Sequence, residues 1–310
     1  MIEEIFNNFP FYKLSILKNL LIEDQIWFKK SRSQNFLIDK NYIKKIYYAM
    51  LEDKGKSFIE IGGGSGNISV VLCTLAKKLI VIEIDKYFYQ LLNKIFSLSA
   101  GFSNSISNYL YQFSKDLQIY TKDNSKEIYI LNEDFLIMDF SKFLKDEKYV
   151  FFGNIPYNIS TSIIMKLVKL KENIDKIYLT TQKEYYERLN GKNEKSFLTI
   201  YLSYHFIIRK LFDIPSSSFY PVPKVNSTFF YLLPKKSYYS LENERIFFDF
   251  VSKSFSKKRK KLLNNFKDDK NYYSVLIDIF QSEKINENIR AEDLTLEDFI
   301  KIFDIYLAQI

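Results

Sequence analysis

The chain has a single cysteine, Cys73, and a single histidine, His205, among its 310 residues. One cysteine leaves no partner for an intramolecular disulfide and fits a reducing compartment. With one histidine beside it, there is no ligand set for a Cys/His metal site, and no metal is expected. No uncharged apolar run reaches the ~18 residues a membrane-crossing helix needs, so no membrane span is expected. Met1 to Asn8 is acidic and lacks a basic start followed by an apolar run, which does not read as a signal peptide. A cytoplasmic setting follows as an expectation, with a monomer as the simplest state. Glycine is also scarce, 8 in all, yet it makes up most of one stretch, Gly62-Gly63-Gly64-Ser65-Gly66.

What the chain does have is apolar bulk and positive charge. Hydrophobic residues make up 47 %, enough for a packed globular chain, and the length suits one large domain with a smaller one. The formal net charge of +8 favours a polyanionic partner, either nucleic acid or an anionic membrane surface. The 24 Tyr and 29 Phe accompany many Lys, Asn and Ile, so a coding bias explains them as well as function does.

Residues 11–28 carry Leu14, Leu17, Leu20 and Leu21 at helical spacing, and a basic linker, Lys29 to Ser33, follows. Asp39 is placed to cap a helix whose face is Ile43, Ile46 and Tyr47. Ser57 to Ile61 reads as a buried strand, the glycine stretch as a loop, Asn67 to Lys78 as a helix and Leu79 to Ile84 as a second strand. This is a βαβ unit. Residues 97–126 are polar and read as a surface excursion with a short helix near 106–113. Strands are expected at Glu127 to Leu131, Tyr149 to Gly153, Ile174 to Thr181 and Val225 to Leu233. Ser160 or Thr161 is the expected cap of the helix through Ile164 and Leu167. Lys183 to Leu189 reads as helical, Phe197 to Phe206 as an apolar segment, and the chain beyond Glu244 as helical.

A glycine turn at a strand's C-terminal edge lets a ligand approach the backbone. Here a strand precedes and a helix follows, and the absence of Gly-Lys-Ser/Thr excludes a P-loop. Glu83 stands near the end of the second strand, close to the ~20-residue interval at which an acid holds ribose hydroxyls. Asp85 competes for that role, and both NAD enzymes and S-adenosylmethionine methyltransferases use it. Asp134, with Glu133 as its alternative, could accept from an adenine amino group or merely cap a turn. The fourth strand runs into Gly153-Asn154-Ile155-Pro156-Tyr157. The exocyclic amine of adenine is a poor nucleophile because its lone pair is delocalised into the ring. Two acceptors, the Asn154 side-chain carbonyl and the Ile155 backbone carbonyl aimed by Pro156, would draw it toward pyramidal geometry. Tyr157 could stack on the base. An ordinary strand-end turn is the plain alternative for this stretch taken alone.

Together these residues resemble the rRNA adenine N6,N6-dimethyltransferases, over about Phe28 to Phe303. Gln34-Asn35-Phe36-Leu37 is similar to the family's N-terminal cofactor motif. Glu60-Ile61-Gly62-Gly63-Gly64-Ser65-Gly66 resembles its glycine motif, Val81 to Asp85 its ribose-binding strand and Asn132-Glu133-Asp134 its adenine-binding acid. Gly153 to Thr161 and Phe219-Tyr220-Pro221-Val222-Pro223-Lys224-Val225-Asn226-Ser227 are its most specific stretches. The resemblance implies an α/β, Rossmann-like methyltransferase domain with a mostly parallel seven-stranded sheet and a small all-α C-terminal domain. The implied boundaries are 1–236, including a helical extension 1–30, and 237–310. S-adenosylmethionine (SAM) is the implied cofactor, held by Asn35, Leu37, Gly62, Gly64, Glu83, Asp134 and Asn154. Asn154, Ile155, Pro156 and Tyr157 would form the catalytic turn, with Phe219 as a second aromatic wall against the target base. Ser33 departs from the family's usual glycine before Gln-Asn-Phe.

The family's bacterial branches dimethylate two adjacent adenines in the 3′-terminal hairpin loop of 16S rRNA, or one adenine of 23S rRNA in macrolide resistance. The central motif is common to both. Thr181 to Leu189, Phe255 to Asn265 and Arg290 to Thr295 resemble the small-subunit branch, so 16S rRNA within a small-subunit precursor is the expected partner. Lys29, Lys30, Arg32, Lys224, Lys257, Lys258, Arg259, Lys260 and Lys261 are the expected phosphate contacts, with a solvated helix face as the plain reading of any such charge run. The 23S rRNA enzyme of the macrolide-resistance type is the alternative target reading, and a non-catalytic RNA-binding factor of the same fold and an NAD oxidoreductase are the other competing readings. The intact Asn-Ile-Pro-Tyr argues against the non-catalytic factor, and the lack of a catalytic His or Tyr-x-x-x-Lys pattern against the oxidoreductase.

Overall fold

A computed structural model describes residues 2–23, 35–96, 127–142, 144, 147–192, 194–257 and 259–309. The chain divides into two compact units. One comprises Met1–Lys183 and Arg209–Leu233, the other Glu184–Ile208 and Pro234–Ile310.

The first unit is built on a sheet of seven strands. In chain order the strands are β1 (Phe36–Leu37), β2 (Ser57–Ile61), β3 (Lys78–Ile82), β4 (Glu127–Leu131), β5 (Tyr149–Asn154), β6 (Ile174–Gln182), β7 (Phe206–Ile214), β8 (Phe219–Tyr220) and β9 (Ser227–Pro234). β1 and β8 form a separate antiparallel pair, while the large sheet runs β4-β3-β2-β5-β6-β9-β7. β4, β3, β2, β5 and β6 pair in parallel, and β9 turns antiparallel against β6. β2 and most of β5 are buried on both faces, which is why Phe58-Ile59 and Val150-Phe151-Phe152 read as unbroken apolar runs. Each such side chain contributes roughly 1.5–3 kcal/mol of burial.

Helices α1 (Ile2–Asn8), α2 (Leu14–Glu23), α3 (Lys40–Ala49), α4 (Ser69–Leu75), α5 (Lys86–Phe96) and α6 (Ser160–Lys169) also belong to this unit. The N-terminal segment is two helices joined by a 3-10 turn, Pro10–Tyr12, rather than one helix from 11 to 28. Asp39 caps α3 as expected, its side chain accepting from the Asn41 amide at 2.9 Å. Neither Ser160 nor Thr161 caps α6. Ile159 is the N-cap, and the Ser160 hydroxyl donates back to the Pro156 carbonyl at 2.9 Å, bracing the turn instead.

The second unit holds α7 (Lys183–Leu189, from Glu184 on), α8 (Phe197–His205), α9 (Leu241–Ser254), α10 (Lys270–Ser282) and α11 (Leu296–Leu307). Ile200 and Tyr204 of α8 join Phe247, Phe250, Leu276 and Phe303 in its core. α7 and α8 therefore group with this unit, whose boundary at Ile208 falls within β7. The excursion 97–126 lies outside the described residues. Among the described residues no helix is long and apolar enough to cross a membrane.

Candidate active site

β2 sits between β3 and β5; the chain crosses from β2 to β3 on one side and from β5 to β6 on the other. The crevice at the C-terminal ends of β2 and β5 is thus the switch point where such sheets take ligands. A cavity of about 310 Å³ lies there. Its lining brings together Asn35 and Leu37, Gly62 to Ser65, Glu83, Asp134 and Asn154 to Pro156, all singled out in the sequence.

The glycine loop is tied to the strand-end acid. Glu83, 4 % exposed, accepts from the Gly64 amide at 2.8 Å and from the Asp85 amide at 2.7 Å. Asn132 donates to the Glu83 carbonyl at 2.8 Å, which fixes the acid's backbone to the segment leading to Asp134. Asp85 itself accepts from the Tyr87 amide and is not among the cavity residues. Gly64 has φ +53°, and a Cβ there would stand 2.7 Å from the Phe36 ring, so glycine is required on two counts. Asp134 accepts from the Leu136 amide at 2.8 Å, holding the turn that brings Phe135 and Leu136 to the cavity wall.

On the β5 side, the Asn154 amide nitrogen donates to the Asn35 backbone carbonyl at 3.0 Å. That bond sets the sense of the amide and leaves Oδ1 as its accepting end. The Ile155 amide donates to Thr180 of β6 at 3.2 Å, anchoring the turn to the next strand. Gly153 allows the turn to fold close, since a Cβ there would meet Ile155 Cγ2 at 2.7 Å. Tyr157 opens a 3-10 turn, Tyr157–Ile159. Phe219 is not among the cavity residues. It pairs with Leu37 in the β1–β8 ladder and is 1 % exposed, packed in the core beneath that segment.

One cavity residue, Glu60, carried no assignment from the sequence. It is 2 % exposed, and its Oε2 is buried without a hydrogen-bond partner among the described residues. Burial pushes its carboxyl up to about 8. The nearby Ser69 hydroxyl moderates the rise without reaching hydrogen-bond geometry, and the Glu83 carboxylate adds to it. An acid inside the apolar run Phe58-Ile59-Glu60-Ile61 was the available signal.

The expected RNA contacts divide. Lys29, Lys30, Arg32 and Lys258 lie outside the described residues. Lys224 is exposed in the loop after β8, and Lys257, Arg259, Lys260 and Lys261 are exposed in the second unit. The latter run is a loop and not a helix, because α9 ends at Ser254 and Arg259 adopts φ +61°. Lys257 pairs with Asp268 at 2.9 Å.

A parallel sheet with a glycine loop, a strand-end acid and a cavity at its switch point is a Rossmann-like nucleotide-cofactor fold, and the Asn-Ile-Pro-Tyr turn beside it makes it a methyltransferase of amino groups. The family model for ribosomal RNA adenine dimethylase matches residues 26–308, and the chain belongs to that family. It is an rRNA adenine dimethyltransferase. Relatives named ribosomal RNA small subunit methyltransferase A are 32 % identical in Mycoplasmopsis pulmonis, over 89 % of this chain and 97 % of that protein. The corresponding protein of Francisella tularensis subsp. novicida is 33 % identical over 88 % and 95 %. Among solved structures, a dimethyladenosine transferase from Plasmodium falciparum aligns with a TM-score of 0.60 at 28 % identity, covering 84 % of this chain and 94 % of that one. The 23S rRNA methyltransferase ErmE aligns with a TM-score of 0.65 at 19 % identity, over 87 % and 99 %, a likeness of fold.

Proposed function

We propose that this chain dimethylates the N6 amines of two adjacent adenines in the 3′-terminal hairpin loop of 16S rRNA, using SAM, during small-subunit assembly. The observation that carries the reading is the Asn154 amide, pinned by Asn35 so that its oxygen is the acceptor at the cavity. The names of the relatives and the Thr181 to Leu189, Phe255 to Asn265 and Arg290 to Thr295 segments support the small-subunit target.

The cavity residues fit the cofactor. Glu83, held by two amides at the strand end, would take the ribose hydroxyls. Ile84, Phe135 and Leu136 supply flat apolar walls for its base, with Asp134 for the base's amino group. Glu60, a buried acid short of partners, would take the ammonium of the amino-acid end. When bound, SAM supplies a sulfonium-activated methyl. Asn154 Oδ1 and the Ile155 carbonyl accept the two N–H bonds of the target amine and localise its lone pair, while Tyr157 holds the base by stacking. Positioning and electrostatics then carry the rate, and the amine proton leaves after transfer. In this reading Phe219 acts from behind, bracing Leu37. Lys224 and the exposed Lys257, Arg259, Lys260 and Lys261 contact phosphates, so binding weakens as salt rises.

The test is methyl uptake by undermethylated small subunits, with free large-subunit rRNA as the comparison. Uptake by small subunits alone is expected. Asn154→Ala should lower it by about 10²–10³, by analogy with the loss of one preorganised transition-state hydrogen bond, while SAM binding by calorimetry persists. Uptake by large-subunit RNA instead, or an unimpaired Asn154→Ala enzyme, sinks the reading.

A further inference from the structure

Residues 2–23 precede the segment that the family model covers, yet they pack against the glycine loop. Phe9 and Phe11 are buried, and the Phe9 ring reaches to 3.7 Å from where a Cβ on Gly66 would stand. The Tyr12 hydroxyl donates to the Asn67 carbonyl at 2.8 Å. Burial holds the Tyr12 phenol well above its ordinary range, so it stays a donor. Asn67 is 4 % exposed and lines the cavity at the end of the glycine loop. Its Nδ2 donates to the Leu37 carbonyl at 2.8 Å and to the Phe11 carbonyl at 3.4 Å. Its Oδ1 accepts from the Ser65 hydroxyl at 2.7 Å. One buried side chain thus joins the N-terminal segment, the Asn35–Leu37 segment and the glycine loop.

We infer that Tyr12 is a positioning residue for cofactor binding, acting through Asn67. The inference rests on reading the loop as the SAM site. A glycine-rich loop has much backbone freedom, and a ligand that needs it ordered binds more weakly unless the order exists beforehand. The Phe11 carbonyl and Tyr12 hydroxyl supply that order from outside the cavity. Tyr12 bonds the Asn67 backbone carbonyl and not the Asn35–Leu37 segment, so its effect falls on the loop and on SAM affinity.

Tyr12→Phe keeps the ring and removes the bond to Asn67. Two measurements follow on the purified full chain: amide hydrogen exchange over residues 62–68 without ligand, and SAM affinity with steady-state kinetics. Exchange in the loop should rise. The SAM Kd and KM should rise about fivefold, the factor one net hydrogen bond carries, with kcat and the RNA KM unchanged. Faster exchange with an unchanged SAM Kd overturns the positioning role, and unchanged exchange overturns the tie itself. A merely structural role lowers stability or kcat without this split, and that outcome also counts against the proposal. Wild-type protein that binds no SAM refutes the reading of the site, and loop exchange still decides the tie.

Discussion

Two buried acids of the first unit are treated in opposite ways. Asp53 and Glu60 are 1 % and 2 % exposed. Asp53 lies just before β2, and Glu60 near its other end. Asp53 accepts from the Tyr178 hydroxyl at 2.7 Å and the Lys56 ammonium at 2.8 Å, with Lys176 at 3.3 Å. Burial alone would raise its carboxyl, but those partners outweigh burial and hold it below the usual range. Glu60 has an oxygen with no partner among the described residues, and burial pushes its carboxyl up to about 8. An unsatisfied buried carboxyl is costly, so a sheet that keeps one at its ligand edge keeps it for a ligand. The saturated acid fastens the α3–β2 connection to β6, and its partners leave nothing to offer a substrate.

Breaking the saturated end gives the largest expected effect on stability. Asp53→Ala leaves Lys176 to Glu52 alone, at 2.5 Å, and takes from the buried Tyr178 hydroxyl its 2.7 Å acceptor; it should cost about 2–3 kcal/mol, read by urea unfolding. SAM affinity of the folded fraction should not change. A loss below about 1 kcal/mol would show that the network is incidental and remove the contrast with Glu60.

Glu60→Gln tests the other end through pH. The sign follows from a raised carboxyl. Between the ordinary 4.5 and about 8, the unfolded chain has released a proton that the folded chain keeps. The folded state binds more protons there, so stability falls as pH rises through that window. The wild type should lose roughly 2 kcal/mol between about pH 6 and about pH 8 relative to Glu60→Gln. Parallel curves for the two proteins would mean that Glu60 is already ionised at neutral pH and has a partner.

The same contrast explains what was legible in the sequence. The glycine loop, Glu83 and Asp134 follow one another along a βαβ pattern, so local spacing points to the cavity they line. The bond that orients Asn154 reaches a carbonyl 119 residues away and depends on chain closure that no local pattern encodes. β7 was missed because Phe206-Ile207-Ile208 continues the apolar stretch of α8, and pairing in the sheet decides its conformation. Phe219 belongs to a specific motif, yet the β1–β8 ladder buries it behind Leu37. The Arg290 to Thr295 segment is likewise a turn. Asp293 accepts from the Arg290 amide at 2.9 Å, Arg290 pairs with Glu292 at 3.2 Å, and Thr295 caps α11. Sequence motifs mark residues that are kept together, and burial separates those that meet a ligand from those that hold the frame.

A third acid sharpens the comparison by separating partner number from burial. Asp213 has partners as good as those of Asp53: Lys210 at 2.9 Å, Lys183 at 3.1 Å and the Thr228 hydroxyl at 2.7 Å. Its side chain is 33 % exposed, against 1 % for Asp53. Burial acts to raise it, and the three partners together bring it down to about 2. A lowered carboxyl contributes stability above its ordinary 3.8 and loses it as pH falls toward about 2. Water screens this group, so Asp213→Asn should cost less than about 1 kcal/mol at neutral pH, and the difference from wild type should vanish below about pH 2 in acid unfolding. A cost as large as that of Asp53→Ala would make partner count the governing quantity. A small cost leaves burial in charge, and with it the argument that the under-partnered Glu60 awaits a cation.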